Sequence, residues 1–299
     1  MHFLNKFIVS LVKLMPNSIV WFFSKRYIAG ENLNDAVNLV KSLNEKGIYA
    51  TIDVLGEAIK NKDEALHDKS KCLEVLEAIK INNLMANLSI KPTQMGLGLD
   101  KDFAFNQVSE LVAKAVAMNN FLRIDMEDSP YTDLTIELFK RLKEKYSNVG
   151  IVIQSYLKRS SNDVVELNKL NANYRLCKGI YIEPAEIAFK DRQKVRDNFM
   201  KLLEEMFNAG SYVGIATHDE YLVKEAYRLI KEKNIPKDKF EFQMLLGVRE
   251  DLRDKINNDG FKIRIYVPFG KQWYRYSIRR LQENPEIAGH IFKNIFRIK

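Results

Sequence analysis

The run Val149-Gly150-Ile151-Val152-Ile153-Gln154-Ser155-Tyr156 is followed by Asn162 to Leu170 and then by Tyr174-Arg175-Leu176-Cys177-Lys178-Gly179-Ile180-Tyr181. The outer runs are short, apolar and rich in β-branched and aromatic residues, which suits buried strands; the stretch between them has the Leu, Glu and Lys content and spacing of a helix. Strand, helix and strand in that order make a parallel unit, because a crossover long enough to carry a helix returns the second strand beside the first.

Outward from this unit the alternation repeats. Further strand-like runs are Tyr49 to Leu55, Ala86 to Ile90, Phe121 to Met126, Tyr212 to Thr217, Phe240 to Leu246 and Lys262 to Val267, making eight in all. Helical stretches lie at Asp63 to Ile81, Asp102 to Met118, Thr132 to Tyr146, Pro184 to Ala209, Glu220 to Lys233 and Arg249 to Asn257, with a last one from Trp273 onward. Ser129-Pro130 and Asp163 supply helix-start signals. Eight such units predict an α/β fold, a (βα)8 TIM-type barrel. An open doubly wound sheet is the alternative. Residues 1–299 read as one domain, with N-terminal helices over 1–46, the barrel over 47–270 and a C-terminal helix region over 271–299; a Pro/Gly/Ser-rich linker is lacking.

At 46% hydrophobic and 29% charged residues, the 299-residue chain can bury a large core without metals or disulfides. The net charge of +8 comes from 47 basic and 39 acidic residues interspersed along the chain, and the long basic runs of nucleic-acid binders are missing. The charge therefore reads as a solvated surface, with no nucleic acid as partner. Cys72 and Cys177 have neither paired spacing nor a histidine cluster, which argues against a disulfide framework or a metal site and for a reducing, cytoplasmic setting. The apolar stretch from Met1 to Phe23 is broken by Lys6, Lys13, Pro16 and Asn17, too often for a membrane span, and reads as an amphipathic helix packed on the barrel, with a membrane-surface anchor as the alternative.

In a barrel of this kind the chemistry gathers at the C-terminal ends of the strands. Those ends are polar and varied: Lys91-Pro92-Thr93-Gln94, Asp125-Met126-Glu127-Asp128, Gln154-Ser155-Tyr156, Lys178-Gly179-Ile180-Tyr181, Thr217-His218-Asp219, Gln243 and Tyr266. The last helix adds Trp273, Tyr274, Tyr276, Arg279 and Arg280, with Tyr276 three and four positions before the arginines. Two readings of that pair stand side by side: a bidentate clamp for a carboxylate, or an exposed helix whose arginines meet acids such as Glu283. Gly96-Leu97-Gly98 opens like a dinucleotide fingerprint, but Lys101 stands at its third glycine, so a glycine turn explains it as well. A phosphate-loop lysine, a nucleophile elbow and a zinc-protease helix are all missing, which moves the reading away from kinases and hydrolases.

Seven segments, taken in order, resemble the proline dehydrogenase family of flavoenzymes. They are Ser89 to Thr93, Arg123 to Glu127, Arg175 to Tyr181, Ala216 to His218, Glu241 to Leu245, Arg264 to Pro268 and Tyr276 to Arg280, and the resemblance runs from about Arg26 to Pro285. It implies a distorted eight-stranded barrel that carries FAD, with the C-terminal helix over its mouth. It also implies that Arg279 and Arg280 grip the carboxylate of L-proline, that Lys91 adds a third positive charge, and that Asp125 braces this cluster and Tyr266. Tyr181, Leu245, Tyr266 and Tyr276 would wall the pyrrolidine ring.

For the cofactor the resemblance implies Gln154, Arg175, Cys177, Lys178, Gly179, Lys194, Thr217, His218 and Glu283, with Arg175 near the reactive edge of the flavin. The implied reaction is hydride transfer from the ring carbon beside nitrogen to flavin N5, giving Δ1-pyrroline-5-carboxylate, the first step of proline catabolism to glutamate. A membrane quinone would take the electrons, from a cytoplasmic protein touching the inner face of the cell membrane peripherally; no metal is implied. Two departures bear on substrate range: Ile180, where the family often has a smaller residue, and Cys177, where valine is common. The rival readings are a flavin barrel like methylenetetrahydrofolate reductase and a non-catalytic basic barrel at a membrane surface.

Overall fold

A computed structural model describes residues 20–21, 24–56, 59–274 and 276–277. Its eight strands are β1 Tyr49–Val54, β2 Ala86–Ile90, β3 Leu122–Ile124, β4 Val149–Gln154, β5 Asn173–Cys177, β6 Val213–Ala216, β7 Phe240–Leu245 and β8 Ile263–Phe269. They pair in parallel in chain order, and β8 pairs back to β1, closing the barrel. This is an α/β, TIM-type architecture, and the open sheet is ruled out. Helix α1 (Leu33–Asn44) precedes β1; α2 (Lys62–Ile81), α3 (Lys101–Ala117), α4 (Ser129–Lys143), α5 (Ser160–Asn168), α6 (Arg192–Asn208), α7 (Glu220–Glu232) and α8 (Glu250–Asn258) follow the first seven strands in turn. Side-chain caps start several of these helices: Asn61 accepts from the Glu64 amide, Asp100 from Asp102 and Phe103, and Asp191 from Lys194.

The strand register sorts the residues into two faces. Partners at one register level share a face, so Thr51 goes with Asn87, Ser89 with Arg123, Arg175 with Gly214, and Gln243 with Arg264. That set turns inward, since Arg175 on β5 reaches Ser89 on β2, and Tyr266 on β8 reaches Asp125 just past β3, contacts that can run only through the middle of the barrel. The alternate set, among them Ile52, Leu88, Ile124, Ile151, Leu176, Ile215, Phe242 and Ile265, is buried in the apolar cluster that packs on the helices. Barrel interiors of this class are usually filled by branched aliphatics. Here the inside is polar.

Several boundaries differ from the sequence reading. The strand expected over Tyr174 to Tyr181 stops at Cys177, because Gly179 turns the chain at φ +105°. The helix expected from Pro184 begins only at Arg192. The loop between is pinned: Ser129 donates from its amide and hydroxyl to Glu183 at 2.7 and 2.6 Å, and Leu157 bridges to Ala188. α4 starts three residues before Thr132, with Asp128 as its N-cap and proline in its first turn. The segment before α1 lies against the end of β8, where the Ala29 amide donates to the Pro268 carbonyl at 2.9 Å and the Gly270 amide to Gly30 at 3.0 Å. Trp273, Tyr274, Tyr276 and Ser277 are helical, while the helix expected within Met1 to Phe23 falls almost wholly outside the described residues, as do Arg279, Arg280 and Glu283.

Candidate functional site

A cavity of about 400 Å³ opens at the C-terminal ends of the strands. Of the residues expected to surround the substrate, Lys91, Asp125, Tyr181, Leu245, Tyr266 and Tyr276 line it. Of those expected at the cofactor, Gln154, Arg175, Cys177, Lys178, Gly179, Thr217 and His218 line it as well. Lys194 does not; Arg192, two positions earlier on the first turn of α6, does. Residues two apart on a helix point about 200° apart, so when α6 begins at Arg192 only one of the two can face the cavity.

The floor is a connected set of charges. Asp125, one residue past β3, accepts from Ser89 Oγ at 2.6 Å, from Arg175 Nη1 at 2.7 Å and from the Tyr266 hydroxyl at 2.8 Å. The Arg175 guanidinium also lies 5.3 Å from the Tyr266 ring centroid. Lys91, at the end of β2, donates from Nζ to both oxygens of Asp53 on β1, at 2.9 and 3.0 Å. Burial alone would lower the Lys91 pKa, but the Asp53 and Asp125 carboxylates outweigh it and hold the ammonium above its usual range. Burial pushes the hydroxyls of Tyr181 and Tyr266 up, so both stay protonated. Cys177 is pushed up to about 12 chiefly by burial, an inert thiol at neutral pH.

Around the rim, Asp219 gathers cations. Arg196 donates to its two oxygens at 2.8 and 2.9 Å, Lys178 Nζ is at 3.4 Å and Arg192 at 3.7 Å. Burial would raise the Asp219 carboxyl, and these cations instead hold it at about 2. Three positive charges on one carboxylate leave a local excess that suits an anionic ligand such as a phosphate. His218 accepts the Leu245 amide on Nε2 at 2.8 Å, which fixes the β7 end against β6. Gln154 donates to the Glu127 carbonyl at 2.9 Å. Glu127 in turn accepts from the Thr93 amide and hydroxyl, which fixes the turn after β2; burial pushes its carboxyl up.

The sequence marks Glu127, Asp219 and Gln243 only as polar strand ends, with no partner for any of them, and does not single out Asp53 or the apolar lining at Val152, Ala216 and Met244. A signal existed for Asp53: it is the one acid in the run Tyr49 to Leu55, and its register partner is Ser89. Among the described residues no cluster of His, Cys, Asp and Glu could hold a metal ion, and no helix is long and apolar enough to cross a membrane.

Comparison with known proteins matches this arrangement to one family. A family model described as proline dehydrogenase covers residues 36–291. Proline dehydrogenase 1 of Bacillus subtilis subsp. natto is 35% identical over 274 residues, 92% of this chain and 91% of its own. The proline dehydrogenase of Deinococcus radiodurans is 34% identical over 291 residues, 96% and 94% of the two chains. Among solved structures, proline utilization A from Bdellovibrio bacteriovorus, inactivated by N-propargylglycine, superposes with a TM-score of 0.83 at 24% identity, covering 88% of this chain and 33% of that one. That likeness shows the fold, over a third of the larger protein's length. The match along most of the chain, with relatives a third identical over nearly their whole length, establishes that the chain belongs to the proline dehydrogenase family.

Proposed function

We propose that this protein oxidises L-proline to Δ1-pyrroline-5-carboxylate with FAD as its cofactor. The observation that carries the reading is a single cavity whose lining combines two chemically different sets of residues. One set is Tyr181, Leu245, Tyr266 and Tyr276 together with the ammonium of Lys91, apolar groups and a charge that suit a small cyclic amino acid. The other set is apolar at Val152, Ala216 and Met244, with donors at Arg175 and Gln154 and the excess of cations around Asp219. That donor set fits a flavin ring joined to phosphates. When bound, the flavin accepts the hydride that leaves the proline carbon next to nitrogen.

The chain's own groups bind and orient. Arg175 would lie where negative charge builds as the hydride leaves proline, and its guanidinium is aimed by Asp125 on one side and by Gln243 on the other. Tyr266, its hydroxyl hydrogen-bonded to Asp125, presents a fixed ring face to the substrate slot. Charge balance explains why further cations are needed: Lys91 is paired with Asp53 and Arg175 with Asp125, so neither has a free unit charge for an incoming carboxylate. Arg279 and Arg280, three and four positions after Tyr276, would supply it, and Glu283 would meet the cofactor.

The onward acceptor, on the family resemblance, is a membrane quinone met peripherally at the inner face of the cell membrane. The rim supports that reading with Ile182 at 95% and Ile180 at 41% exposure, on the loop between Lys178 and Arg192. The test is the visible spectrum of the purified protein under anaerobic proline titration, followed by turnover with an artificial acceptor. Bleaching of a bound flavin by proline is expected. A fully loaded flavin that proline leaves oxidised would overturn the reading.

A further inference from the structure

Arg175 is held from two sides of the barrel. Nη1 donates to Asp125 at 2.7 Å and to Ser89 at 3.3 Å, on the β2–β3 side, while Nε donates to Oε1 of Gln243 on β7 at 2.6 Å. The other end of Gln243 decides which way its amide faces. Nε2 lies 2.7 Å from Oε1 of Glu241, and an ionised carboxylate only accepts, so the NH2 must turn to Glu241 and the carbonyl oxygen to Arg175. Glu241 is 2% exposed yet ionised: Arg264 donates to it at 2.5 and 3.1 Å, Lys262 lies at 3.3 Å, and against the upward push of burial these cations hold its carboxyl at about 2. The neighbouring strand makes room for this amide, since a Cβ at Gly214 would lie 2.4 Å from Gln243 Nε2.

We propose that Glu241 and Gln243 are positioning residues which, through Arg175, set the reduction potential of the flavin; this rests on the function proposed above. A neutral amide acceptor fixes the guanidinium without adding a counter-charge to that of Asp125. A carboxylate at the same place would give Arg175 a second counter-ion and remove the field that favours a negatively charged reduced ring. The full negative charge is kept one side chain away, on Glu241, where Arg264 neutralises it. Without the amide, Arg175 is held only from the β2–β3 side, by Asp125 and Ser89, and its hold on the flavin edge loosens.

The experiment measures the two-electron midpoint potential of the FAD-loaded protein by dye equilibration in the parent, in Gln243→Met and in Gly214→Ala. The second substitution displaces the amide without removing a polar atom. The expected result is bound flavin in both variants and a roughly tenfold smaller ratio of reduced to oxidised flavin at a fixed potential, a midpoint about 30 mV more negative. The proline kcat should fall more than the KM rises. Potentials equal to the parent's in flavin-loaded variants would overturn the inference, as would loss of flavin from both, which would make these residues part of the cofactor's cradle. A parent protein that proline cannot reduce would instead defeat the functional reading itself.

Discussion

Replacing Asp53 by asparagine keeps the shape of the side chain and removes the charge around which Lys91 is built. The pair is dry: Asp53 is 1% exposed and Lys91 8%, with Nζ at 2.9 and 3.0 Å from the two carboxylate oxygens. Removing one partner of a buried pair typically costs about 3–5 kcal/mol, because the remaining charge stays desolvated and loses its compensation. The low end applies here. Asp125 and Glu127 also act on Lys91, and the asparagine oxygen still accepts one hydrogen bond. A loss of about 3 kcal/mol is therefore expected, read as a lower urea midpoint at unchanged slope.

The same substitution should show in the pH dependence of proline binding. In the parent, burial alone would lower the Lys91 pKa and Asp53 lifts it above the ordinary 10.5, so the ammonium persists across the neutral range. A raised pKa contributes stability fully below the unfolded value and loses it as pH rises through the folded one. With asparagine at 53 the effect of burial is less opposed and the pKa falls. The ammonium then deprotonates at a lower pH than in the parent, and the KM for proline should start to climb correspondingly earlier. A stability loss under about 1 kcal/mol at pH 7, together with superimposable KM profiles, would refute both the pairing and its role.

Acid should act through Glu241: its carboxyl, held at about 2 against an ordinary 4.5, contributes about 3 kcal/mol that is complete above pH 4.5 and lost as pH falls toward 2. Circular dichroism across that window should show a flatter stability profile for Glu241→Gln than for the parent, and equal slopes would count against the assignment. Tyr266→Phe removes the hydroxyl that donates 2.8 Å to Asp125, which keeps Ser89 and Arg175, so urea unfolding should register a loss of about 1 kcal/mol and proline turnover should drop. Arg279→Met or Arg280→Met should raise the proline KM strongly with the flavin spectrum intact, and unchanged kinetics in both would remove them from the carboxylate site.

The barrel was legible because the outward face of every strand is apolar and each strand is followed by helix-period sequence, a pattern written in local composition. Strand ends were legible too, since the fold class says where to look: Asp125, Arg175 and Tyr266 all meet at one floor. What composition could not convey was pairing. Lys91 reads as a free positive charge until the register of β1 against β2 brings Asp53 beside it. The loop from Lys178 to Asp191 reads as the end of a strand and then the start of a helix because Ile180 and Tyr181 continue the apolar run and Pro184 to Lys190 looks helical; a glycine in the left-handed region and the long-range anchor between Glu183 and Ser129 decide otherwise.

The two faces of the strands have different work. Outward residues such as Ile215 and Phe242 are fully or almost fully buried against helices, and truncating one to alanine should cost about 2–5 kcal/mol with little specific effect on the site. Inward pairs contribute little net stability, since well-packed apolar replacements for a buried ion pair are often neutral or better. Yet the inward face of this barrel carries pair after pair: Lys91 with Asp53, Arg175 with Asp125, Arg264 with Glu241. Arg123 marks the strain of that choice, its Nε without a hydrogen-bond partner among the described residues and its pKa lowered to about 9 by burial and by Arg175. An interior chosen for stability would not keep it. The polar lining has a different use at the cavity itself: Gln243 and Ser89 orient Arg175, Ser89 and Tyr266 orient Asp125, and aliphatic side chains in their places could orient neither.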